Sequence, residues 1–209
     1  MNNTFEKQAG ISLIIFTVLL VFTMMLHPAG GSIEHLIRIT PVIIITHSIA
    51  ILALPFGCIG FLGLTRKTGI ENFASVLGFI MVCFALIGTL FAAATNGLIV
   101  PLYLQHYKDA TPDALTAINP ILRWGFTVNL AFDYIYTGAF CLAILCWSIA
   151  ILTTRNLASW IGWLGILISV VTVLIFVSGV AVNNLHGLRI FGTCTITWIL
   201  LMGIVLYRN

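Results

Sequence analysis

Charged residues are absent from long stretches of this sequence: Gln8 to Ile33, Thr40 to Thr65, Asn72 to Tyr107, Asn156 to Leu188 and Ile190 to Tyr207. Between Trp124 and Thr154 the only charge is Asp133. A helix needs about 20 consecutive apolar residues to cross a ~30 Å hydrocarbon core. The backbone of such a segment must satisfy its own hydrogen bonds, which leaves helices as the natural solution for runs of this length. Composition agrees, with 60% apolar and 7% charged residues, against roughly 25% charged in soluble domains. The expected fold is an all-α integral membrane bundle of about six transmembrane helices. Its spans fall at about 9–26, 41–64, 73–104, 125–152, 158–182 and 188–207. These leave no stretch for a separate soluble domain, so the expectation is a single domain over 1–209.

The first run is followed by His-Pro-Ala-Gly-Gly-Ser and has the outline of a secretory leader. Glu6 offsets Lys7 ahead of it, and the run is long for a leader's apolar region, which favours a retained helix. Two connecting loops carry helix signals of their own. Ser32 can cap a short helix with Glu34 and Arg38 spaced for an i,i+4 pair. Thr111, Pro112 and Asp113 supply a cap, a proline at the first helical position and an acidic first turn, with Asn119 and Pro120 ending that helix. Both short helices are expected along the membrane surface.

With the N-terminus inside, Lys7, Arg66, Lys67, Arg155 and Arg208 lie on the inner side, and Arg38, Lys108, Arg123 and Arg189 on the outer. That excess favours cytoplasmic N- and C-termini. The net charge of +3 is dispersed, which gives nucleic acid no basic patch. The cysteines all fall inside apolar runs, without C-x-x-C spacing, and read as small buried hydrophobes rather than disulfide partners or thiolate ligands. In overall pattern the chain is similar to small six-span bacterial membrane proteins, which implies a bacterial inner (plasma) membrane and the lipid bilayer as its main partner.

NFASVLGFI, starting at Asn72, recurs as NLASWIGWL, starting at Asn156, each after a loop bearing Thr and Arg. This is a trace of duplication of the kind that builds repeat transporters. Thr89, Ala93 and Gly97, Ala53 with Gly57, and Ala158 with Gly162 space small residues four apart, where helices can approach closely. Pro55 is expected to kink the second span.

All the histidines belong to one end of the bundle: His27, His35, His47, His106 and His186. Asp133, the acidic residue within a span, enters from that same end. At 1.5 Å rise per residue, His47 and Asp133 lie roughly 25–28 Å from the opposite ends of their spans. Asn129, Asp133, Tyr136 and Thr137 share one helix face, as do Thr89, Asn96 and Tyr103, and Thr40 with His47. Polar stripes turn away from lipid. The sequence therefore predicts a polar vestibule at the outer end lined by His47, Asn96, Asn129, Asp133 and Tyr136, with Asn183, His186 and Arg189 at its rim.

Such a vestibule suits a small polar solute or ion, bound or transported, with Asp133 as charged anchor and His47 as its proton-responsive partner. A metal- or haem-dependent enzyme would use the same histidines, with His47 and Asp133 as the best metal candidates. Against it, no H-E-x-x-H spacing is present, and His47 alone lies clearly within a span; no cofactor is specified. No G-x-S-x-G or serine triad can be assembled, so no catalytic residue is assigned. A non-catalytic membrane scaffold, in which Asp133 only fixes helix packing, is the third expectation. In it His27 and His35 are interfacial residues and His106 is solvated.

Overall fold

The computed structural model describes residues 3–28, 30–177 and 185–208. Its helices are α1 (Asn3–Leu26), α2 (Ile33–Arg38), α3 (Thr40–Thr68), α4 (Phe73–Ala94), α5 (Val100–Gln105), α6 (Pro112–Ala117), α7 (Asn119–Thr154), α8 (Ser159–Val177) and α9 (Leu185–Arg208), with a π-helical turn at Thr95–Ile99 joining α4 to α5. The fold is an all-α membrane bundle. Five helices are long and apolar enough to cross a bilayer: Thr4–Leu26, Thr40–Thr68, Phe73–Gln105, Asn119–Thr154 and Ile190–Arg208. The fifth expected span falls on α8, a shorter apolar helix, and its continuation at 178–184 lies outside the described residues. α3 runs unbroken through Pro55.

The six long helices pack in chain order, α1 on α3, α3 on α4, α4 on α7, α7 on α8 and α8 on α9, and α1 against α9 closes the ring. Large side chains fill its centre. Trp147 stacks on Phe61 at 5.1 Å between ring centroids and on Trp198 at 6.3 Å, and Phe61 meets Phe16 and Phe140 edge-on. Leu52, Phe84, Leu174 and other large apolar side chains are exposed on the outside, where hydrocarbon is their natural solvent. Glycines set the seam distances. A Cβ at Gly10 would come within 2.6 Å of the Tyr207 backbone nitrogen and 2.7 Å of the Gly203 carbonyl, so α1 and α9 touch backbone to backbone. A Cβ at Gly60 or Gly63 would overlap Leu13 or Ala9, which brings α3 equally close to α1.

The end without histidines is cross-braced by hydrogen bonds beneath an open cleft of about 480 Å³ between Glu6, Arg66, Glu71 and Asn156. Trp147 Nε1 donates to Thr65 Oγ1 at 3.2 Å, Ser75 Oγ donates to the Thr65 carbonyl at 3.0 Å, and Thr68 Oγ1 meets Ser75 Oγ. Glu6, almost wholly buried, pairs with Lys67 at 2.9 Å. Asn72 caps α4 by accepting from Ser75 N at 3.1 Å and reaches Thr153 Oγ1 at 3.4 Å. Asn156, its counterpart in the repeated segment, donates to the Lys67 carbonyl at 3.2 Å. The two basic turns thus brace each other reciprocally.

The histidine end is built differently. α7, with 36 residues, is about 54 Å long and overshoots a ~30 Å core. Its first turns join α2, α5 and α6 around a small second core of Val100, Leu104, Leu115, Ile118 and Leu122. Ser32 and Thr111 cap α2 and α6 as expected. Asn119 and Pro120 start α7 rather than ending α6, because the break falls at Ile118. Glu34 is not the partner of Arg38: Arg38 Nη2 meets His35 Nδ1 at 3.0 Å, and the Ser32 hydroxyl holds the Glu34 carboxyl below its usual pKa.

Candidate functional site

Between the main core and this small cap lies a cavity of about 250 Å³, walled by His27, His47, Asn96, Pro101, Leu36 and Phe126 among others. Its construction starts from two local events. Thr46 Oγ1 donates to the Leu26 carbonyl at 3.4 Å, tying α3 to the last turn of α1. The next residue on each chain is a histidine, and the rings of His27 and His47 stand 5.2 Å apart at 59°.

The second event is Pro101. Having no N–H, it cannot serve the carbonyl four residues back, at Gly97. The helix responds by widening into the π turn, in which the Val100 N–H is given to Thr95. The Asn96 carbonyl then receives no ordinary helical donor from either Val100 or Pro101. π turns of this kind concentrate at functional sites. Gly97 makes the turn a seat: a Cβ there would overlap Cβ and Cγ of His47, so the imidazole rests directly on glycine backbone.

Backbone carbonyls fix both rings. A carbonyl only accepts, so Nδ1–H of His47 donates to Ile43 O at 2.8 Å and Nδ1–H of His27 donates to Pro28 O at 3.1 Å. In each neutral imidazole the lone pair is therefore on Nε2. His47 is 7% exposed, so its ring is held by packing as well as by that bond.

Two further spaces adjoin the cavity. A cleft of about 430 Å³ shares Gly31, Leu36 and Phe126 with it and carries Glu34, Asn119 and Arg123. This is a polar approach from the cap side. On the other flank His27 also walls a smaller, mainly apolar space of about 130 Å³ with Met24, Thr89, Tyr136 and Thr195. The Thr195 hydroxyl is buried with no hydrogen-bond partner among the described residues.

Of the residues the sequence nominated, His47 and Asn96 share the first cavity and Tyr136 walls the smaller, mainly apolar space. Asn129 Nδ2 donates to Asp133 Oδ2 at 2.8 Å, one turn before Tyr136 on α7. Asp133 is not among the residues walling the His47 cavity. Asn183 lies outside the described residues, and His186 and Arg189 fall in the opening turns of α9, where only the backbone is described. The described residues contain no cluster of three or more His, Cys, Asp or Glu side chains able to hold a metal. His27, read from the sequence as interfacial, is the cavity residue the sequence did not nominate. Pro101 four residues after Gly97 was the available signal for the irregular turn that seats His47.

The chain matches no known protein family, no curated protein and no solved structure.

Proposed function

We propose that this chain is a six-span membrane protein that binds a small polar solute or ion at its histidine end, with both termini on the cytoplasmic side of a bacterial inner membrane. The carrying observation is the cavity where His27, His47 and Asn96 meet in a mainly apolar wall at the irregular turn of the third span. A cavity of this size with few, convergent polar groups in an apolar frame is the usual form of a small-ligand site. Broken helices with released carbonyls are the places where membrane proteins hold ions and polar solutes. In this reading His27, His47 and Asn96 hold the ligand. Asn129, Asp133 and Tyr136 form a second polar set on α7, and Asn183, His186 and Arg189 complete the rim. The aromatic core and the Thr65–Ser75–Trp147 network stand between the cavity and the opposite end. Movement across the bilayer therefore needs a second conformation in which that end opens.

The test is thermal unfolding of the detergent-purified chain against sodium, potassium, ammonium, magnesium, zinc(II), copper(I), phosphate and acetate. A ligand bound only by the folded state stabilises by about 2.7 kcal/mol at a hundred times its Kd. That raises the midpoint by several degrees in a chain of this size. At least one probe is expected to do so in wild type and to lose the effect in His47→Ala. If no probe shifts the midpoint, or if His47→Ala retains the full shift, the reading fails.

A further inference from the structure

The charges at the mouth of the cavity narrow the solute class. We infer that the solute is a zwitterionic α-amino acid with an uncharged, hydrogen-bonding side chain. Its ammonium lies at Glu34, its carboxylate at Arg123 and its side chain in the cavity of His47 and Asn96. The inference rests on the binding reading above and names what is bound.

The approach cleft of about 430 Å³ carries one charge of each sign, Glu34 from α2 and Arg123 from the first turns of α7. Both residues are exposed, and neither has an ion-pair partner among the described residues. Arg38, one turn beyond Glu34, is engaged by His35 Nδ1 instead. The Ser32 hydroxyl holds the Glu34 carboxyl below its usual pKa and so keeps it ionised. An unpaired carboxylate and an unpaired guanidinium in one cleft complement a solute that carries ammonium and carboxylate together. A simple anion or cation meets a like charge there as well as its partner, so the pair selects against both. The guanidinium fork also matches a carboxylate with two parallel N–H···O bonds.

The space behind the cleft has the opposite character. Gly31, Leu36 and Phe126 wall both spaces, so a solute anchored in the cleft reaches into the cavity. No Asp, Glu, Lys or Arg is among the described residues of the cavity wall. A charged side chain would lose its hydration there without a partner. Two uncharged heads are open instead. In the neutral ring His47 Nε2 only accepts, since Nδ1–H is given to Ile43 O, and the Asn96 amide both donates and accepts. Neither head is hydrogen-bonded or sealed: the buried, unpartnered side-chain atoms among the described residues are the hydroxyls of Thr137, Ser148 and Thr195. A carboxamide or a hydroxyl answers both heads. At about 250 Å³ the cavity is smaller than the ~300 Å³ at which drug-sized pockets begin, which suits one short side chain.

The experiment titrates L-glutamine, L-asparagine and L-threonine against thermal unfolding of the full chain in detergent. At least one is expected to stabilise wild type, with its decarboxylated and desamino analogues each binding about threefold to fivefold more weakly, the strength of an exposed ion pair. Two surface variants then separate recognition from folding. Arg123→Gln is expected to weaken the amino acid by the same factor and to leave the decarboxylated analogue, which has no carboxylate to lose, unchanged. Glu34→Gln is expected to weaken the amino acid and leave the desamino analogue unchanged. Equal binding of the amino acid and both analogues, or equal weakening of every compound in both variants, would overturn the assignment. If no amino acid stabilises the chain but another of the solutes above does so through His47, the zwitterion assignment alone falls. If nothing stabilises it, the binding reading falls as well.

Discussion

Gly10→Leu is expected to abolish the stable bundle. The position is unforgiving because its neighbours are backbone atoms of Tyr207 and Gly203, which cannot rotate away as a side chain would. Overfilling a core against movable side chains typically costs about 1–3 kcal/mol. Here α1 and α9 must separate along their whole seam, so a loss at or above about 3 kcal/mol is expected. Size-exclusion profiles and thermal unfolding in detergent read the result, as loss of the monodisperse species. The control is Gly138→Ala on α7, where an added Cβ meets nothing within 4 Å. It is expected to be neutral or to stabilise by up to ~1 kcal/mol through helix propensity.

Gly97→Ala strikes the site instead of the frame. The new Cβ collides with the root of the His47 side chain, Cβ and Cγ, rather than with a flexible tip. Either α3 moves off the π turn or the imidazole leaves its seat, and both outcomes dismantle the cavity. Ligand stabilisation is expected to disappear, with a midpoint drop equivalent to about 1–3 kcal/mol, while the distant Phe61–Trp147–Trp198 stack keeps the chain membrane-inserted. Adding His47→Gly removes the colliding atoms. The double variant should recover much of the stability and none of the binding. Recovery of binding as well would mean that His47 is not a ligand.

The reach of the sequence follows the range of the interactions involved. Span positions rest on local apolar runs, and the caps at Ser32 and Thr111 rest on side chains bonding three residues ahead; both kinds of feature are visible in a linear reading. That His47 and Asn96 lie at one depth was legible too, because residues at matching depths on antiparallel helices can be counted along the chain. Which residues meet was not. His27 joins His47 because Thr46 reaches the last carbonyl of α1, and that register is set by the glycine seam of α1 on α3, a relation between helices that no single run encodes. Asp133 looked like the natural partner of His47, yet Asn129 on its own helix takes its oxygen. Local i,i+4 bonding won over the longer-range pairing. The small cap escaped notice because α2 and α6 resemble surface helices until Leu115 and Ile118 are seen packed on Leu104.

The central claim is that the cavity beside Asn96 takes its solute from the histidine end. Its most direct measurement is the reaction of Asn96→Cys, with the five native cysteines replaced by serine or alanine, with a membrane-impermeant maleimide added to either face of sealed vesicles. Labelling from one face only, the one that bears the histidine end, slowed by the stabilising ligand, is the predicted result. Absence of labelling from both faces, or equal labelling from each, would contradict it.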